Sequence, residues 1–383
     1  MLALFFCQCV MLVLKRAAAR RASHPERSAH YAAHYAAHYA AQAQVEVGTV
    51  LLNAAPAPAV ALNPVTNRIY VGMTDGTVTR IDGDTLGQTT IPLNLNNAAL
   101  APVGIAVNSL TNRIYVISAG NGGVTGELTI IDGQTNMAMS INLSMVNTPN
   151  GIALDPALNL IYVIGSDGNN HILDIIDGNT LALQSVMLPN EPYNLAVNAI
   201  THQVYIGSNS GGATLTQVDG AMATLVITIN LTDGFTDLAV DPVLDRVYSL
   251  QRNIMTGAGR VDVFDGTLGF LNSAAVGPID NGAKIIVNPA THRLYVNNNN
   301  NQVTPFDGVT MQAMMAIPIT VANGNAMLLN PATNLLYVTQ STAGGAISQI
   351  NTQTEAETAV LPPAPPAFVK RLLGEALCRG RSP

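Results

Sequence analysis

Tryptophan is absent from this chain of 383 residues, and lysine and cysteine each occur only three times. The cysteines are Cys7, Cys9 and Cys378, all near the ends. Three thiols cannot build a disulfide framework, and without a CxxC pair no zinc clip is implied. The fold must therefore stand on packing. The lysines are Lys15, Lys284 and Lys370, charged residues make up 11%, and the formal net charge is −7. Globular chains usually carry about a quarter charged residues. A nucleic-acid partner is not expected, because no basic stripe is present to displace counterions from phosphates. The missing tryptophan counts against a quinone-dependent dehydrogenase, whose cofactor stacking typically uses that ring. Residues 1–14 are apolar but too short to span a bilayer comfortably, so no integral membrane domain is expected.

Apolar residues reach 48%, enough for a large core, and Asn, Thr and Gly supply much of the polar surface. The ends differ from the middle. After the apolar run come Lys15, Arg16, Arg20 and Arg21, whereas a secretory signal carries its charges first. Ala-His-Tyr-Ala then repeats over Ala29–Ala40, ahead of Ala41-Gln42-Ala43-Gln44, which resembles a cleavage site. Residues 1–44 read as a low-complexity, disordered tract or an atypical export segment. His30, His34 and His38 would share a helix face and reach a metal together, but composition favours disorder. Residues 362–383 read as a proline-rich, then basic, disordered tail.

Between these ends the chain repeats itself. Tyr70, Tyr115, Tyr162, Tyr205, Tyr248, Tyr295 and Tyr337 recur at intervals of 42 to 47 residues. Seven residues before each stands Asn63, Asn108, Asp155, Asn198, Asp241, Asn288 or Asn330. Asp-Gly follows the first six tyrosines, at Asp82, Asp132, Asp177, Asp219, Asp265 and Asp307; Asn351-Thr352 replaces it in the seventh unit. The run before each Asn or Asp is apolar on both faces, as in Gly104-Ile105-Ala106-Val107, and such a strand needs cover on both sides. The Asn or Asp side chain folds back on its own backbone to end that strand, and proline follows in five units. A β-branched and aromatic strand comes next, then a variable Gly/Asn loop such as Gly120–Gly126. A third strand ends at Asp-Gly, and a fourth, more polar one suits an outer edge.

Four strands per unit and seven units predict an all-β fold: a seven-bladed β-propeller of four-stranded antiparallel blades over residues 45–361. The units fall near 57–100, 101–147, 148–190, 191–233, 234–280, 281–322 and 323–361. Two segments compete for the fourth strand of the last blade, Val45–Leu52 and Glu355–Val360. The alternation of Val45-Glu46-Val47 favours the first, as an N-terminal clasp.

The phrases Asn63-Pro64-Val65-Thr66-Asn67-Arg68-Ile69-Tyr70-Val71 and Asn288-Pro289-Ala290-Thr291-His292-Arg293-Leu294-Tyr295-Val296, with Ile-Asp-Gly-x-Thr at Ile81–Thr85 and Ile131–Thr135, resemble the YVTN-repeat, or YncE-like, β-propellers. The resemblance spans about residues 45–360. It implies a secreted, periplasmic or cell-surface protein; some members are thought to bind DNA, surface partners or peptidoglycan-related machinery. The motif is structural and carries no catalytic residues.

Propellers usually bind ligands at the channel mouth, near the starts of the innermost strands. The positions four and five before each Asn/Asp marker gather polar groups in units three to seven: Asn150, Tyr193, Asn194, Asp237, Lys284 and Asn325. One carboxylate and one lysine among amides suits a small polar ligand, or a weakly held divalent cation with oxygen ligands. The same groups would equally solvate a water-filled channel, with Lys284 and Asp237 as a loose ion pair. His202 and His292 share one hairpin slot and read as surface residues; the repeated tyrosines read as core.

Two functions stand against each other. The first is a non-catalytic, exported or cell-surface scaffold, monomeric and without cofactor, that recognises a protein or glycan. The alternative is a metal-dependent lactonase or hydrolase at the channel mouth. Thr148–Ala153 and Asp237–Asp241 look like metal-ligand strands of gluconolactonase-like propellers, although Asn-Gly-Ile-Ala is also the repeat's own phrase.

Overall fold

The computed structural model describes residues 56–361, less 84, 86, 94–100, 121–124, 144–145, 299–300, 320–323, 332, 341–346 and 354–355. The expected segments over 1–44 and 362–383, and the candidate clasp Val45–Leu52, lie outside the described residues. Each repeat folds into a four-stranded antiparallel sheet with its strands in chain order. Seven such blades cover residues 56–92, 102–142, 148–188, 192–230, 234–278, 284–318 and 324–361. Each inner strand lies against the inner strand of the next blade. The inner strand of blade seven, Gly324–Asn330, lies against that of blade one, Pro56–Asn63, and the ring is complete. No helix occurs among the described residues. The protein is an all-β, seven-bladed propeller.

Blade two shows how residue type builds the sheet. Its second strand, Arg113–Ser118, buries five of its six residues because neighbouring blades cover both faces. Tyr115 lies between Ala106 on the inner strand and Ile130 on the third. Its equivalents Tyr70, Tyr162, Tyr205, Tyr248 and Tyr295 are likewise fully buried, and Tyr337 is half-buried. Truncating such a core ring to alanine costs about 3–5 kcal/mol. Burial also raises the phenol pKa, most at Tyr162 and Tyr205 and up to about 12 at Tyr248. The outer strands are far more exposed, as in Thr224–Asn230 of blade four.

The Asn/Asp marker does two jobs. Its Oδ1 accepts the backbone N–H groups two and three residues on, as Asn108 does from Leu110 at 3.0 Å and Thr111 at 3.3 Å. That Asx turn ends the inner strand. At Asn63, Asn108, Asp155, Asn198 and Asp241 the other side-chain atom reaches the next blade and meets the residue in left-handed conformation at the tip of its hairpin, whereas Asn288 Nδ2 finds no partner among the described residues. The tip residues are Asn67, Asn112, Asn159, His202, Asp245, His292 and Asn334, with φ between 50° and 60°. Asn63 Nδ2 donates to Asn112 Oδ1 at 2.9 Å, Asn108 Nδ2 to Asn159 Oδ1 at 2.8 Å, and Asn198 Nδ2 to Asp245 Oδ1 at 2.7 Å. Where the marker is Asp and can only accept, the tip residue is histidine. His202 Nδ1 lies 2.6 Å from Asp155 Oδ2, and His292 Nδ1 lies 2.7 Å from Asp241 Oδ2. A carboxylate accepts, so each Nδ1 carries the proton.

These contacts correct the reading of His202 and His292 as surface residues. Each ring is half-buried and joins two blades through a fully buried aspartate. The glycine of Asp-Gly also has a different role from a turn former. It is not in the left-handed region; that conformation falls later in the turn, at Asn136, Leu181, Ala223, Leu268 and Met311. The glycine instead lets its backbone press on the hairpin tip of its own blade. Gly83 N donates to Asn67 O at 2.7 Å, and a Cβ there would stand 2.6 Å from that oxygen. Finally, the fourth strand of blade seven is Ala356–Leu361, paired antiparallel to Ile347–Asn351. The chain closes its last blade with contiguous sequence, not with the N-terminal clasp that local alternation favoured.

Candidate functional site

The ring has two unlike faces. The marker hairpins and Asp-Gly turns gather on one. The loops after the second strands, with the crossovers between blades, gather on the other. The expected channel-mouth residues lie at this loop face, and the sheet register explains their placement. Each inner strand of blades two, three, four, five and seven slips by one residue relative to its partner, which leaves Val103, Asn150, Tyr193, Thr236 and Asn325 without an opposite number. These are β-bulges, which bend a strand and re-aim a side chain. Of these, Asn150 and Tyr193 are exposed, whereas Thr236 is buried. Asn325 holds the bulge position on the inner strand Gly324–Asn330 of blade seven; its side chain lies outside the described residues.

The polar groups beside the bulges tether blade to blade. Asn150 Nδ2 of blade three donates to Pro192 O of blade four at 2.9 Å. Asn194 Nδ2 of blade four donates to Asp237 Oδ1 of blade five. Asp237 Oδ2 accepts Ile285 N of blade six at 3.0 Å. Asp237 is only 4% exposed, and burial raises its pKa while Lys284 and the donated N–H groups pull it down. Lys284 acts on it through space; the two form no direct ion pair. Thus Asn150, Asn194, Asp237 and Lys284 fall on successive blades, and the first three carry inter-blade hydrogen bonds. A divalent cation fits poorly here, since both Asp237 oxygens accept protein N–H groups. Among the described residues no group of three or more His, Cys, Asp and Glu is placed to hold a metal.

Tyr193 belongs to a different feature. A cleft of about 730 Å³ opens on the loop face where blades four and five meet. Tyr193 and Phe235 form its aromatic wall, ring centroids 6.2 Å apart and edge to face. Phe235 can lie there because Gly207 has no side chain: a Cβ at that position would collide with the ring. Asn209 holds Phe235 at both backbone groups, accepting its N–H at 2.7 Å and donating to its carbonyl at 2.6 Å. The opposite rim is the loop Asn253-Ile254-Met255-Thr256-Gly257. Asn253 Oδ1 accepts the N–H of Met255 at 3.1 Å and of Thr256 at 3.0 Å. Gly257 N, at φ 74°, donates to Asn253 O at 2.8 Å, and Asn253 Nδ2 donates to Asp233 Oδ1 at 2.9 Å. The loop is tied at every turn, yet it holds Ile254 at 76% and Met255 at 89% exposure. These two residues, with Phe235 and Arg252, escaped the sequence reading. Two adjacent large apolar residues in an otherwise polar loop are the signal that was present for them.

No family model matches this chain, and no curated protein does. Solved structures do. The hydrazine synthase of Kuenenia stuttgartiensis is similar over 81% of this chain and 99% of that one, with a TM-score of 0.63 at 14% identity. The β-propeller domain of Cps50 (Swd1) from Myceliophteria thermophila is similar over 78% of this chain and 98% of that one, with a TM-score of 0.60 at 12% identity. At such identities the likeness concerns the fold. Among the described residues no helix is long and apolar enough to cross a membrane.

Proposed function

We propose that this chain is a binding scaffold of the YVTN-repeat, YncE-like type, and that a protein partner docks in the loop-face cleft between blades four and five. The observation that carries the reading is the pinned loop that exposes Ile254 and Met255 beside the Tyr193–Phe235 wall. Exposed apolar groups on a rigid loop lose little entropy on contact and make effective anchors. A protein partner is favoured over a glycan, because the cleft amides Asn209 and Asn253 are already engaged with Phe235 and Asp233. Export to the periplasm, the medium or the cell surface belongs to the same proposal. Its support is the apolar run before Lys15 and the repeat phrases.

Random peptides displayed on phage and selected against the full chain test the docking site. The selected peptides are expected to lose binding to Ile254→Ser and Met255→Ser proteins and to keep it with Leu110→Ser, an exposed position on the opposite face. Peptides that respond to Leu110→Ser instead would overturn the assignment.

A further inference from the structure

The cleft carries an arginine that no carboxylate among the described residues neutralises. Arg252 ends the second strand of blade five, Arg246–Arg252, and its guanidinium lines the cleft. Its Nε donates to Ile279 O at 2.8 Å and one terminal nitrogen to Asn281 Oδ1 at 3.3 Å. Both acceptors are neutral. The neighbouring carboxylates are taken by another arginine: Arg260 lies 3.5 Å from Asp233 Oδ2 and 2.6 Å from Asp262 Oδ2. Asp262 also accepts Gln251 at 2.8 Å and Ser273 at 2.7 Å. Among the described residues Arg252 forms no ion pair. The chain as a whole has a net charge of −7, so a lone, oriented cation in a partly apolar cleft stands out as a recognition group.

We propose that the cleft recognises a carboxylate set beside an apolar side chain on an extended peptide, with Arg252 as the residue that selects it. The inference rests on the docking reading above. The carboxylate, from an Asp or Glu side chain or a chain terminus, accepts from the guanidinium nitrogen that no described residue engages. The apolar neighbour packs between Tyr193 and Met255. Held at Nε, the arginine is already oriented, and charge-assisted hydrogen bonds to a planar carboxylate are the strong ones. Among the described residues no lysine lines the cleft, and a single guanidinium suits one carboxylate better than a phosphate cluster.

The test uses peptides selected from a random displayed library on the full chain. They are expected to share an Asp, a Glu or a free C-terminus next to a large apolar residue. In a synthetic copy of one such peptide, converting that carboxylate to the carboxamide should weaken binding about tenfold or more. Separate side-chain and C-terminal amide versions tell the two sources apart. Arg252→Gln should cost the acidic peptide a similar factor and the carboxamide peptide little. The carboxamide arm uses unaltered protein, so a folding defect cannot imitate its result. Peptides that depend on Met255 but bind equally well as carboxamides would overturn the carboxylate claim and leave the docking site standing. A failed selection, or peptides indifferent to Met255→Ser, would remove the docking site and this inference with it.

Discussion

The marker and tip residues obey donor–acceptor logic across blade boundaries. Asp155 and Asp241 face histidines, whereas Asn63, Asn108 and Asn198 face groups that accept. Asp155→Asn alone replaces a charged acceptor by an amide and obliges His202 to accept at Nδ1 in its other tautomer, which should cost about 1 kcal/mol. The double change Asp155→Asn, His202→Asn copies the pair of blades one and two and should recover most of it; a double-mutant cycle in urea reads the coupling. A second residue-scale expectation concerns Asp174. Its position in the third strand holds a hydroxyl residue in five other blades, at Thr79, Thr129, Thr216, Thr304 and Ser348. Asp174 is fully buried, accepts only Ser185 Oγ at 2.6 Å, and its Oδ2 has no partner. Burial raises its pKa above the ordinary carboxylate range. Its ionised form therefore burdens the fold at neutral pH, and the burden lifts as pH falls through the raised value. Asp174→Thr should raise the neutral-pH melting temperature by an amount corresponding to about 1 kcal/mol and abolish that acid-side gain. The turn aspartates Asp132, Asp177, Asp265 and Asp307 run the other way. Backbone and side-chain hydrogen bonds in their own turns hold their pKa values down, so their contribution is present above the ordinary range and fades as pH drops through the lowered values. A melting-temperature profile across acid pH, with and without Asp174, separates the two trends.

At the scale of the strand, the period, the tyrosines and the markers were legible because local chemistry dictates them: alternation, β-branching, a side chain that folds back on its own turn. The blade count followed. What escaped depends on partners far along the chain. A bulge at Tyr193 is set by how Pro192–Asn198 slips against Gln203–Ser208, and no spacing in either strand encodes it. Val45-Glu46-Val47 alternates more cleanly than Ala356–Leu361, and only pairing with Ile347–Asn351 gives the place to the second segment. His202 reads as a loop residue until Asp155 is placed beside it. The candidate positions fall at the loop face, and the inter-blade hydrogen bonds of Asn150, Asn194 and Asp237 there depend on partners in the next blade that no local pattern encodes. One outer strand invites a test at this scale. Thr224–Asn230 is an edge strand without charge or proline, and Leu225, Val226 and Ile227 are exposed. Such edges template pairing with other chains. Val226→Lys should slow aggregation on warming, followed by light scattering, while shifting stability by less than about 0.5 kcal/mol.

Across the whole molecule, the seven blades are wound from consecutive stretches of chain, and every one of them, the last included, owns all four of its strands. Among the described residues no strand crosses the boundary between blades seven and one. Drawn out mechanically, this makes the ring a split washer rather than a buckled belt. A load applied at Pro56 and Leu361 falls first on that boundary, where the inner strands of the two blades lie against each other and, among the described residues, no hydrogen-bonded ladder joins the sheets to share it. Single-molecule stretching between those residues should show the ring spring open at low force. The blades should then peel away singly, each step releasing contour length on the order of 15 nm for its roughly 45 residues.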